Sequence, residues 1–361
     1  MTTPRTPQDH QAGFPPAPPE AHPRADMKAC RPKWCRRGTL VQGQQKRDRT
    51  QDRPETRERV DVYQRVTEAL TAMLAQGVRP WMQPWASGRP LSQPVRHNGE
   101  SYRGVNVLLL WMSAMEHGFS SPLWMTFKQA QSLGGAVRKG EKATLIVYAD
   151  QFTPKDEPRA SDEEARVISF LKTYPVFNWD QIDGLPPKAA ALGSPARLDS
   201  TLTPHALAEA FFNRTGARFE QGGFKAFYRP SQDVIQLPVL AAFTSVESYV
   251  AVKAHELIHW TGHASRCARE FGMRFGDQAY AFEELVAEIG SAFLCASLGV
   301  TPMVMMDHAQ YLAQWLTLFK TDHRAIFTAA SQAQRAVDWL YAQAGTADES
   351  ASMTHGGVRH E

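Results

Sequence analysis

The hydrophobic positions of this chain change period along its length, and the changes mark out its elements. Val60, Tyr63, Val66, Leu70, Met73 and Leu74 recur at helical spacing and stop at Gly77, so a helix is predicted there. The same spacing predicts helices over residues 105–116, closed by Gly118, and 126–133, ahead of Gly134-Gly135. Two runs rich in β-branched and aromatic residues follow, 143–148 and 167–177, joined through an acidic loop at 156–164 that reads as a solvated hairpin tip. Further on, residues 204–215 have helical periodicity, 225–230 and 233–238 alternate as a short hairpin, and 246–260, 280–298, 307–320 and 324–344 read as helices. The 280–298 stretch is apolar on nearly every face, the mark of a buried helix, and Gly299 ends it.

Two stretches lack any such period. Residues 1–55 are rich in Pro, Gln, Arg and Asp and predict a disordered basic arm. Residues 181–200, with Gly184-Leu-Pro-Pro187 and Gly193-Ser-Pro195, predict a linker. The expected organisation is therefore the arm, a domain over 56–180, the linker, a second domain over 201–344, and a loose tail over 345–361. The expected fold class is α+β, a mixed α/β domain followed by a largely helical one that carries a small antiparallel sheet. No internal repeat is visible.

Composition narrows the class. The chain of 361 residues is 43% hydrophobic and 10% aromatic, which is globular and large enough for two domains. No apolar run is long enough to span a bilayer, so no membrane partner is expected. The N-terminus lacks an apolar signal core. Four cysteines, Cys30, Cys35, Cys267 and Cys295, fit a reducing compartment, and the expected location is cytoplasmic. Cys30 and Cys35 have no second pair nearby, which argues against a zinc ribbon. The net charge of +3 is unevenly spread, with thirteen Lys and Arg against seven Asp and Glu in residues 1–60, and nine against six in 61–150. The first 150 residues are the basic part.

The chemistry concentrates at His255-Glu-Leu-Ile-His259. On a helix, positions i and i+4 lie about 40° apart around the axis and roughly 6 Å apart along it. His255 and His259 can therefore aim two imidazoles at one point, with Glu256 placed to act as general base on a water held there, the HExxH arrangement of zinc-dependent hydrolases. Ser245 is a fitting N-cap, Glu247 lies in the first turn, and Gly262 can end the helix. A third ligand is expected from the buried helix, whose charges are Glu283, Glu284 and Glu288. Buried carboxylates are costly unless a metal or a histidine meets them. Glu284 and Glu288 share a face and Glu283 points about 100° away. Glu284 is assigned as third ligand and Glu288 as an acceptor behind a liganding His or as the alternative ligand; the spacing leaves the reverse assignment open. His263 follows His259 by four, but Gly262 intervenes and Ser265 stands where HExxHxxGxxH needs a His, so a loop role is expected. Tyr280 or Tyr249 could donate to a developing oxyanion. The expected cofactor is one divalent metal, zinc foremost, with manganese also accepted by two imidazoles and a carboxylate.

The N-terminal half mixes aromatic with basic side chains, a pairing that suits single-stranded nucleic acid through stacking and phosphate contact. The candidate DNA-binding residues are Arg79, Trp81, Trp85, Arg96, Tyr102, Arg103, Arg138, Lys139 and Lys142. Asn98-Gly99 is a turn signal expected to bring Arg96 and Arg103 together. Composition alone favours the plainer reading, aromatics in the core and cations on an ordinary surface.

Several motifs in order across both halves shift that weight: Arg79-Pro-Trp81, Pro84-Trp85, Asn98-Gly99, Tyr102-Arg-Gly-Val-Asn106, Lys139-Gly-Glu-Lys142, Val176-Phe-Asn178, His255-Glu-Leu-Ile-His-Trp-Thr-Gly262 and Tyr280-Ala-Phe-Glu-Glu-Leu-Val-Ala-Glu288. Over residues 56–344 the chain resembles the ArdC-type antirestriction proteins of conjugative plasmids and mobile elements, whose N-terminal module also occurs in plasmid primases. The resemblance implies an N-terminal single-stranded-DNA-binding domain and a C-terminal zincin-like metallopeptidase domain. The implied role is protection of incoming DNA from host restriction. Two alternatives stand beside it: an active zinc endopeptidase acting on a host protein and localised by DNA, and an accessory module of plasmid replication. Residues 1–55 have no counterpart in the resemblance.

Overall fold

The computed structural model describes residues 61–82, 92–152, 168–186, 203–270, 278–301 and 309–355. The predicted arm, Trp85, the acidic loop at 156–164 and most of the predicted linker lie outside them.

The first helix, α1 (Val62–Ala75), starts where Asp61 accepts from the Tyr63 amide and buries Val66, Leu70 and Leu74. Gly77, at φ 76°, takes the left-handed turn that a side chain would resist. After β1 (Val95–Arg96) comes α2 (Val105–His117), ended by Gly118 in the αL conformation. Then follow β2 (Leu123–Met125) and α3 (Phe127–Ser132), the latter opened by a Thr126–Gln129 capping box. Next are β3 (Ala136–Val137), β4 (Thr144–Phe152), β5 (Ile168–Asn178) and β6 (Ile182–Asp183). Strands β4 and β5 pair antiparallel from Thr144↔Val176 to Phe152↔Ile168, which is the hairpin the sequence predicts. The sheet order is β1-β2-β5-β4, with β1 and β2 parallel, and β3 pairs with β6 separately.

The second half opens with α4 (Pro204–Arg214), capped by Thr203. A small sheet follows, β7 (Arg218–Gln221), β8 (Phe227–Arg229) and β9 (Val234–Leu237), in the order β7-β9-β8. The β8–β9 pair is the predicted antiparallel hairpin. The four-residue β7 was not expected and joins β9 in parallel, so the sheet is mixed. Four helices complete the chain: α5 (Val246–Thr261), α6 (Gln278–Ser297), α7 (Ala309–Thr321) and α8 (Ala325–His355). Helix α8 runs through Gly345, where a loose tail was expected to begin. The Ala-, Glu- and Met-containing residues after that glycine favour helix, and a lone glycine costs only about 1 kcal/mol.

The two modules share one core. Leu70, Leu74, Trp81, Leu108 and Trp111 of the first half belong to the same cluster of buried side chains as Phe211, Leu257, Phe293, Trp315 and Leu340 of the second. Trp111 meets Phe293 edge-on at 5.8 Å between ring centroids, a contact worth about 0.5–1.5 kcal/mol beyond its buried area. Thr67 donates to the His323 carbonyl at 2.7 Å, and Arg103 pairs with Asp338 of α8. Among the described residues, no helix is long and apolar enough to cross a membrane.

Candidate metal centre

Helix α5 is held at both ends by its own sequence. Ser245 accepts from the Ser248 amide while Ser248 Oγ accepts in return, and Gly262 closes the C-terminus. The helix is buried along most of its length, so its histidines face protein and not solvent. Helix α6 packs directly on it. Gly290 makes this possible: a Cβ built there would stand 3.0 Å from the side chain of Ile258, inside the motif itself. Ser291 Oγ adds a bond to the Ala251 carbonyl at 3.0 Å.

The close approach brings three donors together. His255 Nε2 and His259 Nε2 stand 3.1 Å apart, and each lies 3.5 Å from an oxygen of Glu284. Donor atoms of a tetrahedral zinc site, at about 2.0–2.1 Å from the ion, stand roughly 3.3 Å from one another. The three side chains therefore fit a single divalent cation in both chemistry and spacing, and they form the group of metal-capable side chains among the described residues.

Electrostatics are consistent with that fit. Burial opposes ionisation of Glu284, yet the His259 and His255 imidazoles and a hydrogen bond from Tyr280 hold its carboxyl down at about 2. Burial likewise opposes charging of His255, but Glu284, Glu256 and Glu288 raise its pKa to about 9. The carboxylates around the two imidazoles thus favour a positive charge at this point. Glu256 is buried beside it, and burial raises its pKa while both histidines pull it down. The Tyr228 backbone on β8 adds a hydrogen bond to its carboxylate.

The residues behind the three donors differ from expectation. Glu283, expected to point away, accepts from His259 Nδ1 at 3.1 Å. Arg269, in the segment after α5, grips the same carboxylate with Nε and Nη2, each at 2.8 Å. Glu288, expected behind a histidine or as the alternative ligand, accepts from Trp81 Nε1 at 3.2 Å and lies near enough to His255 to favour its charged form, outside the cluster of three donors. Tyr280 lies in the site, bonded to Glu284 and stacked on Tyr311, and burial pushes its hydroxyl pKa up. Tyr249 does not, since its ring packs on Phe243 and beside Lys253. His263 bonds Ser265 in the loop, as expected.

Of the nine candidate DNA contacts, Trp85 lies outside the described residues and the other eight scatter. Trp81 is 0% and Tyr102 5% exposed, so neither can offer a face to a base; both are core residues. Trp81 sits edge-on to Trp315 at 5.8 Å. Arg79 is partly buried. Arg96 pairs with Glu100 and lies over the Tyr102 ring. The Asn98-Gly99 turn forms, with the Gly99 amide bonded to the Arg96 carbonyl at 2.9 Å, but Arg103 turns to Asp338 and not to Arg96. Arg138 pairs with Glu141 and Asp183, while Lys139 and Lys142 are exposed on the same turn.

Both halves match known families. A model for the N-terminal domain of anti-restriction factor ArdC covers residues 60–177, and one for a zincin-like metallopeptidase covers 206–332. The crystal structure of metal-free antirestriction protein ArdC from plasmid R388 superposes with a TM-score of 0.66 at 43% identity, over 79% of this chain and 98% of that one. The chain belongs to the ArdC antirestriction family. The Mn(II)-bound structure of the R388 protein agrees, with a TM-score of 0.64 at 41% identity. Among family relatives, the uncharacterized protein y4eC of Sinorhizobium fredii is 38% identical over 84% of this chain and 97% of its own length. DNA primase TraC of Escherichia coli is 37% identical over 297 residues, 78% of this chain and 27% of TraC.

Proposed function

We propose that the protein binds single-stranded DNA of a mobile element through its N-terminal module and so shields it from host restriction, while its C-terminal module holds a divalent cation at His255, His259 and Glu284. The observation that carries this reading is membership of the antirestriction family over both modules in the expected order. Within the N-terminal module, the exposed cations of the 138–142 turn supply phosphate contacts. Zinc suits the donor set best. Manganese is tested beside it because the R388 relative has been crystallised with Mn(II).

The site also supports a second reading, an endopeptidase acting on a host protein. A cation bound there supplies Lewis acidity. Glu256, buried next to His255, is the candidate general base, able to take a proton from an attacking water and pass it to a leaving amine. Tyr280 stands ready to donate at the same pocket.

A transfer assay into a restricting host separates the two. Glu256→Gln removes the base and leaves His255, His259 and Glu284 in place. Under the shielding reading, protection and single-strand affinity both survive, because covering a strand is a stoichiometric task. Protection lost with DNA affinity intact would make proteolysis the function.

A further inference from the structure

Behind His259 lies a buried pair that the HExxH motif does not include. The Arg269 and Glu283 side chains are each 4% exposed, so neither charge is relieved by water. Glu283 Oε1 accepts from His259 Nδ1 at 3.1 Å and from Arg269 Nη2 at 2.8 Å, and Oε2 accepts from Arg269 Nε at 2.8 Å. Arg269 places its remaining contacts on Thr261 Oγ1 at 2.8 Å and the Ile258 carbonyl at 2.6 Å. One guanidinium thus clamps the last turn of α5 to the beginning of α6.

The chemistry of that clamp bears on the histidine. The planar fork of an arginine holds both oxygens of the Glu283 carboxylate at once and so fixes its direction. With Glu283 clamped by Arg269 and aimed at Nδ1, the His259 Nδ1–H donates to it and Nε2 is turned toward Glu284 and His255. His255 Nδ1, also buried, meets no such partner among the described residues. The two histidines of the motif are therefore unequal. His259 is oriented before any cation arrives, whereas His255 is oriented by the cluster it joins.

We infer that Arg269 and Glu283 are positioning residues for His259, and that the fork between them sets the affinity of the site for a divalent cation by fixing the tautomer and angle of that ring. This rests on the reading of His255, His259 and Glu284 as a cation site and extends it to two residues outside the motif.

The test uses the full chain, with zinc alone titrated against a competing chelator and cobalt(II) alone as a spectroscopic probe of coordination geometry. In Arg269→Met/Glu283→Leu, two apolar side chains replace the buried ion pair, an exchange that folded proteins often tolerate. Thermal unfolding monitors the fold. Zinc affinity is expected to fall roughly ten- to hundredfold and the cobalt absorption to change, with the unfolding midpoint near that of the wild type. Wild-type affinity and an unchanged cobalt spectrum in the folded double variant overturn the inference. If that variant does not fold, Arg269→Lys decides: it keeps the charge and loses the second prong, so an intermediate affinity supports the inference and wild-type affinity overturns it. A wild-type chain that takes up neither zinc nor cobalt overturns the cation site itself, a failure visible before any variant is compared.

Discussion

The metal centre and the basic turn of the N-terminal module handle charge in opposite ways. At the centre, Glu283, Glu284, Glu288 and His255 are buried and each is held by a named partner. On the N-terminal module, Arg96, Arg103 and Arg138 lie at the surface and pair with carboxylates in reach of water. Breaking a buried pair costs about 3–5 kcal/mol, whereas an exposed one contributes about 0–1 kcal/mol. The first region is therefore fixed before a ligand comes. The second can exchange a carboxylate for a phosphate at small cost, which is what a sequence-indifferent contact with DNA requires.

The largest expected effect falls on the fixed region. His259→Ala removes a donor and strands the Arg269–Glu283 pair behind it, so divalent metal should be lost from the purified protein, with affinity down more than about 100-fold. Single-strand affinity should stay level, and a parallel fall in DNA binding would erase the contrast. Trp81 sharpens the boundary between the regions, because it belongs to the N-terminal module in sequence and to the metal centre in space. Trp81→Phe should destabilise the fold by about 1–3 kcal/mol through the lost bond to Glu288, read by denaturant unfolding. If stability held and DNA affinity collapsed, Trp81 would be a stacking residue after all.

A smaller effect is expected at the exchangeable surface. Replacing Lys139 and Lys142 by Ala should leave stability within about 0.5 kcal/mol. The slope of log affinity for a single strand against log salt should become shallower by roughly 1.4. An unchanged slope would move the DNA contact elsewhere. The smallest effect concerns Asp233, whose carboxyl is held below its usual 3.8 by hydrogen bonds from Arg266. A depressed carboxylate stabilises the fold above its unfolded pKa and loses that contribution as pH falls through the folded value. Because the side chain is 46% exposed, Asp233→Asn should cost only about 0.2–1 kcal/mol near neutrality, and the two proteins should converge in acid.

The parts of the site legible in the sequence are those fixed by local geometry. His255 and His259 meet because they are one turn apart, and Ser245 and Gly262 bound their helix through capping that depends on neighbours only. The charge pattern of a buried helix narrowed the third donor to Glu284 or Glu288 and left the choice between them open, and Glu284 is the one that lies against both histidines. Glu283 was misread because the helical wheel gives a direction without saying what waits there, and what waits there is Arg269, from a segment with no period to betray it. Trp81 looked like a base-stacking residue because its true partner, Trp315, lies far along the chain. The strands β1, β2, β3, β6 and β7 were missed because two to four residues are too few to show alternation.

The common core bears on how such a gene can travel. A rearrangement that separated the two halves would bare Trp81, Trp111, Phe293 and Trp315 together and leave Glu288 without its indole. Each fragment would expose apolar surface that the intact chain buries. The match to TraC spans more than one module: its 297 aligned residues exceed the 60–177 stretch of the N-terminal module alone, inside a polypeptide of which they are 27%.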